Sequence, residues 1–398
     1  MSSIEVAEGQ PQTFAAADEI ADTDWESVSL LGGPLFMLGR RLRLVRGNNT
    51  IRLGIAIGFS LWILLVVVAV ATQNTARAFS LAAIATHLRL LAVIPLMFIT
   101  ETLLDPHVAI FVRVAIASGL IPSSEYPALE HDLTRLKRLK NSNWPDALAA
   151  LASAPLIALG ASVFQVGWPW RAGSWDHAAL LSLAIIANVT IFRFLVFRWV
   201  WRLSLWAWLL FRISRMKLHL VPSHPDRAGG LGAVEVVQYQ FLPLIAATSI
   251  LLASTHAEAL AKGLVPVTII YAAACYAVGI GVVIVLLPLT VFSRALRRCR
   301  ERGIAEYSVL ASRYVTQFQE KWIVPDTPAD LLGSADFQSL ADLASGVDVV
   351  REMRTIPISL RLLIQVAIVS FLPMLPLSLF KQSVPDLLQK ILLRLLGG

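Results

Sequence analysis

"LGIAIGFSLWILLVVVAVAT", residues 53 to 72, is an unbroken apolar run without a charged side chain. A helix crossing about 30 Å of hydrocarbon needs about 20 apolar residues at 1.5 Å each, and this run meets that length unaided. Working outward, residues 82 to 103, 146 to 167, 178 to 199, 233 to 254, 264 to 290 and 357 to 380 read the same way. They predict an all-α polytopic transmembrane helix bundle of about seven spans. The last run holds Pro373 and Pro376, so a kinked span and a re-entrant pair both remain open. The whole chain agrees: 56% of its residues are hydrophobic, 15% are charged, and its mean hydropathy is +0.67.

Connection charges give an orientation. Arg40, Arg41, Arg43, Arg46 and Arg52 precede the first span, and Arg113, Arg135, Lys137, Arg138 and Lys140 lie between the second and third. Arg202, Arg212, Arg215, Lys217 and Arg227 lie between the fourth and fifth, and Arg294, Arg297, Arg298, Arg300 and Arg302 follow the sixth. The alternate connections carry only Arg77, Arg171 and Lys262. The N-terminus is therefore expected in the cytoplasm. The formal net charge of +7 is accounted for by topology, with no need of nucleic acid. Cys275 and Cys299 imply no disulfide framework and are too few for a zinc site.

The non-membrane parts divide the chain further. Residues 1 to 28 read as a disordered acidic cytoplasmic tail, with seven acidic residues and no Lys or Arg before Ser27. The acidic leader does not match a cleaved secretory signal. The bundle then occupies residues 29 to 292, entered through "LLGGPLFMLGRRLRLVR", an interfacial helix on anionic lipid. Residues 105 to 145 predict two short helices lying against the cytoplasmic face.

Residues 293 to 356 show helical periodicity. Ile304, Tyr307, Leu310, Tyr314, Phe318 and Trp322 form one stripe; Phe337, Leu340, Leu343, Val347 and Val350 form another, with Ser334 placed to cap it. Joined by "VPDTPADLLG", they predict a cytoplasmic helical hairpin. The tail, residues 381 to 398, reads as an amphipathic segment on the outer surface.

Candidate site residues collect on the cytoplasmic side. Glu101 and Asp105 are four apart on one helix face, with His107 just beyond Pro106. Glu101, Arg193, Glu235 and Arg361 all fall away from the bilayer midplane, which counts against a proton- or sodium-coupled carrier. His87 and Arg89 stand at the start of the second span. Arg193, Arg198 and Arg202 read either as side chains snorkelling to headgroups among Trp199, Trp201, Trp206 and Trp208, or as an anion or lipid-phosphate site.

The corner "HPDRAGGLG", residues 224 to 232, offers His224, Asp226, Arg227, Gly229 and Gly230. It reads either as a packed turn capped by Asp226, or as backbone N–H groups and Arg227 suited to an anion. It lacks the Lys of a phosphate-binding loop, and the His and carboxylate spacing matches no metal motif.

This corner, together with "GSADFQSLADLASGVDVVREMRTIP" at residues 333 to 357, resembles stretches in a group of multi-pass bacterial membrane proteins without an assigned activity. The resemblance covers the later half of the chain. It implies a bacterial inner-membrane setting and supplies no catalytic residue. Both motifs are candidates for one cytoplasmic-face site, to which the hairpin brings Asp336, Asp342, Arg351, Glu352 and Arg354; a solvated charged face is the plainer alternative for these.

Three functions follow. The first is a non-catalytic membrane protein presenting a cytoplasmic site to a protein partner, through residues 293 to 356, or to an anionic ligand such as lipid headgroups. The second is an oligomeric channel or uncoupled pathway, since small residues in "ALAALASAPLIALGAS" and "YAAACYAVGIG" permit close helix contact in a homo-oligomer. The third, an enzyme acting on lipid headgroups with His224 as base, lacks a nucleophile motif or cofactor loop; no catalytic residue, metal ligand or cofactor is assigned.

Overall fold

A computed structural model of the chain describes residues 28–80, 83–142, 144–151, 177–261, 269–324 and 334–381. The expectations for the acidic leader, most of the 146 to 167 span, the proline-rich hairpin turn and the C-terminal tail lie outside these residues. Six helical stretches are long and apolar enough to cross a membrane: Ile51–Ala71, Ile84–Ala117, Ala184–Ser214, Gly232–Leu260, Ile269–Trp322 and Leu360–Leu377. The protein is a multi-pass, all-α membrane protein, and no strand occurs among the described residues.

The helix α1 (Pro34–Arg41) starts behind Gly33 with a proline in its first turn. The apolar run forms α2 (Ile51–Ala71), and α3 (Ile84–Ala117) packs along it. Two glycines permit their close approach. A Cβ on Gly54 would sit 2.6 Å from Phe98, and one on Gly58 would sit 2.2 Å from the Leu90 carbonyl oxygen. At the basic end the pair is pinned: the Thr50 N–H donates to Thr102 Oγ1 at 3.0 Å, and Thr50 Oγ1 donates to the Phe98 carbonyl at 3.0 Å.

α3 corrects one expectation. The sequence predicts a new surface helix after Asp105, but the helix runs through Pro106 to Ala117 without a break. The proline ring faces outward, while Val108, Phe111, Val112, Ala115 and Ile116 continue the buried stripe. Burial of that stripe outweighs the one backbone bond that proline removes. The second expected surface helix does form, as α4 (Tyr126–Lys140).

α5 (His177–Ser214) outruns its apolar window because its aromatic second half is core: Trp206, Leu209, Leu210 and Ile213 are fully buried. α6 (Gly232–Tyr239) and α7 (Leu242–Ala261) make the next span, and α8 (Ile269–Leu286) the one after. A 3-10 turn, Leu287–Phe292, carries α8 directly into α9 (Ser293–Trp322), and α10 (Ala335–Arg351) folds back along α9.

The expected hairpin is thus present. Ser334 accepts from the Asp336 N–H at its start, and Phe337 packs on Phe318 and Trp322 with ring centroids 5.0 and 5.5 Å apart. The last span is not a re-entrant pair. α11 (Leu360–Phe371) continues as a 3-10 stretch, Leu372–Lys381, in which Pro373 and Pro376 are accommodated.

Candidate functional site

The basic side of the bundle holds two polar centres. The first is the 224 to 232 corner. Pro222 and Pro225 break the chain after α5, and Arg227, Gly229 and Gly230 take φ of 53°, 65° and 97°. The Asp226 carboxylate then accepts from the N–H groups of Ala228 at 2.8 Å, Gly230 at 3.0 Å and Gly232 at 2.7 Å. His224 Nδ1 lies 2.8 Å from Asp226 Oδ1. The N–H groups that would receive an exogenous anion are therefore filled by the chain's own carboxylate, and the packed-turn alternative describes the geometry.

What this turn holds is the hairpin exit. The Arg227 carbonyl accepts from the Arg354 N–H at 2.8 Å, and Arg227 pairs with Glu352 at 2.8 Å. Arg354 pairs with Glu235 at 3.4 Å, and Ser359 Oγ donates to the same carboxylate. Arg300 donates to the Arg351 carbonyl at 2.8 Å, while the Arg351 guanidinium points outward beside Asp348. Gly229 is needed beneath Met353, whose Cε would lie 3.0 Å from an added Cβ. Gly303 of α9 rests against Pro222 and Val350. The two stretches singled out in the sequence are thus the two halves of one clamp at the hairpin base.

The second centre is built on α3 and α5. Glu101 Oε1 receives Arg198 at 3.0 Å and Arg202 at 2.5 Å, and the three side chains are 2–5% exposed. One turn on, Asp105 accepts from Ser29 Oγ at 2.8 Å, the Leu30 N–H at 2.7 Å, the Leu31 N–H at 3.2 Å and Asn48 Nδ2 at 2.8 Å.

This corrects the snorkelling picture of Arg198 and Arg202. They lie on the stripe that also carries Trp199 and Trp206 into the core, so they reach inward to a carboxylate and not outward to headgroups. His107 turns back to the Leu103 carbonyl of its own helix and leaves Asp105. A small cleft beside the centre is lined by Gly33, Lys140, Asp146, Arg198 and Arg202. Burial pushes the Lys140 ammonium below its usual value, against the opposing pull of Asp105.

The two centres do not merge. Among the described residues no hydrogen bond or ion pair joins Glu101 or Asp105 to His224, Asp226 or Arg351, and no group of three or more His, Cys, Asp or Glu stands as a metal site. Among the described residues Asp342 accepts from Gln338, one turn earlier on α10, and Arg361 is exposed at the start of α11. Asp336 serves the hairpin, receiving Lys321 at 2.5 Å and Trp322 Nε1 at 3.0 Å, and these bonds hold its carboxyl below the usual value.

Sequence reasoning missed the fork in which Arg212 Nε meets both oxygens of buried Asp132 at 2.9 Å. It also missed Ser29 and Asn48 as partners of Asp105; neither pair has a sequence spacing that signals contact. Searches against protein families, curated proteins and solved structures find no match to this chain.

Proposed function

We propose that this is a non-catalytic inner-membrane protein that presents the α9–α10 hairpin to a cytoplasmic protein partner. The observation that carries this reading is the hairpin's attachment. α9 leaves the membrane without a loop, through buried Pro288, Leu289 and Phe292, and its return strap is clamped by Arg227, Glu235 and Asp226. A chain that needed only to cross the membrane would not fix a hairpin of this length at one angle.

Along the free length, Val309, Leu310 and Val315 are 52%, 51% and 41% exposed: Val309 lies opposite the line of Tyr314 and Phe318 that meets α10, and Leu310 and Val315 flank that line on either side. Apolar groups held clear of the bundle favour a partner that buries them. The basic connections on the hairpin's side of the membrane support a cytoplasmic location. The polar clamp residues serve rigidity in this reading, and the protein needs no cofactor for it.

A photo-crosslinking residue at position 315 of the full chain, in intact cells, tests the reading. The expected result is one dominant protein adduct, lost when Val309 and Leu310 are both changed to Asp. Adducts to lipid alone, or protein adducts unaffected by those changes, would overturn it.

A further inference from the structure

The bundle also holds charge at a depth where none is needed for anchoring. α2 spans the hydrocarbon as Ile51–Ala71. Near its middle, Gly58 touches the Leu90 carbonyl and Trp62 Nε1 donates to His87 Nδ1 at 3.0 Å. Arg89 stands between those two contacts, so it lies near the bilayer midplane. The sequence places it at the edge of a span; the π turn Arg89–Val93 and the short connection from α2 bring it inward. Such turns in an otherwise α-helical span occur often at functional positions.

Arg193 approaches the same level. It lies five residues from Arg198, about 7.5 Å along α5 at 1.5 Å per residue, and Arg198 is fixed to Glu101 at the basic end of α2 and α3. The Arg89 guanidinium sits 5.2 Å from the centroid of Phe192 and feels the charges of Arg193 and of Glu258 on α7. One turn along the same buried stripe of α5 is Asn188, 2% exposed, with neither its nitrogen nor its oxygen hydrogen-bonded. Arg89 Nε and Arg193 Nη1 are likewise buried without an acceptor.

Charged groups in mid-bilayer cost free energy and mark ion or substrate sites. A buried donor left without an acceptor costs about 1–3 kcal/mol, and more when charged. The unfilled atoms here include donors on Arg89, Arg193 and Asn188, which call for an acceptor. Among the described residues two guanidiniums stand here and the Glu258 carboxylate acts on one of them, Arg89, so positive charge is in excess. A cation is repelled by that excess, and a lipid phosphate cannot descend to the midplane.

We propose that Arg89, Asn188 and Arg193 form a site within the bundle for a small monovalent inorganic anion of the size of chloride or nitrate. The anion supplies the missing acceptor to all three side chains and neutralises the excess charge. The site is separate from the hairpin, so the two readings stand or fall by different measurements.

The test uses the full chain, purified and monodisperse in detergent, with thermal unfolding followed at constant ionic strength as chloride replaces gluconate. Ligand binding to the folded state raises the midpoint by mass action. A saturable rise is expected for the unaltered protein, and nitrate should reproduce it.

Changing Arg89 and Arg193 together to Gln should raise the half-saturating chloride at least tenfold, and Asn188→Leu, which alters no charge, at least threefold. The paired change to Lys, which keeps the charge, should retain a saturable response. An unaltered protein indifferent to chloride, or Gln and Leu variants whose half-saturating chloride equals that of the unaltered protein, overturns the proposal. Should the Gln variant prove unstable, Asn188→Leu decides alone.

Discussion

Glu101→Gln tests the buried centre on α3 and α5 most directly. The substitution keeps shape and hydrogen-bonding capacity while removing the carboxylate that Arg198 and Arg202 share at 3.0 and 2.5 Å, and leaves Asp146 of the adjoining cleft as the other negative group near them. All three side chains are at most 5% exposed, so water cannot replace the lost charge. Removing one partner from a buried ion pair costs about 3–5 kcal/mol, chiefly because the remaining charge is left uncompensated. With two arginines on one carboxylate and Asp146 still acting on both, the loss belongs within that range. The assay is reversible unfolding by titration with a denaturing detergent, read by tryptophan fluorescence. Changing Arg198 to Met in the same chain should recover part of the loss, since one of the two stranded charges is then gone. A Glu101→Gln protein within about 1 kcal/mol of the unaltered one, or a double variant worse than either single, would refute the shared-carboxylate account.

Asp226→Ala should loosen the clamp by about 2–3 kcal/mol, because the N–H groups of Ala228, Gly230 and Gly232 lose a charged acceptor together. Hydrogen exchange should quicken at residues 228 to 232 and at the Arg354 N–H; an unchanged Arg354 N–H would separate the turn from the strap. The Asp336 carboxyl, held below its ordinary value by Lys321 and Trp322, binds its proton less readily folded than unfolded. Its support for the hairpin is thus present above about pH 4 and lost as the pH falls through the lower folded value. Acidification should raise exchange along α10, and Asp336→Asn should abolish that pH dependence.

The membrane-spanning parts were legible because lipid imposes one rule, a long apolar run, and each described run obeys it. Ser334 as a helix cap and the paired aromatic stripes of α9 and α10 were equally visible, since both are local patterns of period 3.6. What the sequence concealed is pairing. A window average sees Arg198 and Arg202 near a span end among tryptophans and takes them for headgroup ligands; it cannot see Glu101 opposite them on another helix. Pro106 reads as a stop, although the stripe on either side of it keeps its phase. Arg89 reads as an edge residue because its depth is set by a π turn and by the contacts of its neighbours Leu90 and His87 with Gly58 and Trp62, neither of which leaves a mark in hydropathy. The corner motif drew attention for its polar composition, yet its role turned on which groups Asp226 satisfies, a question only coordinates answer.

The direct passage from Ile269 to Trp322 makes α8 and α9 one continuous arm, so that α9 follows the tilt of α8 in the bilayer. α9 extends about 45 Å at 1.5 Å per residue, so a tilt of roughly 5°, well inside the range that spans adopt as bilayer thickness varies, displaces its far end by about 4 Å. The Arg354 strap to Glu235 ties that motion to the neighbouring span. A protein docked at the tip would register the thickness of the lipid below it without touching lipid itself.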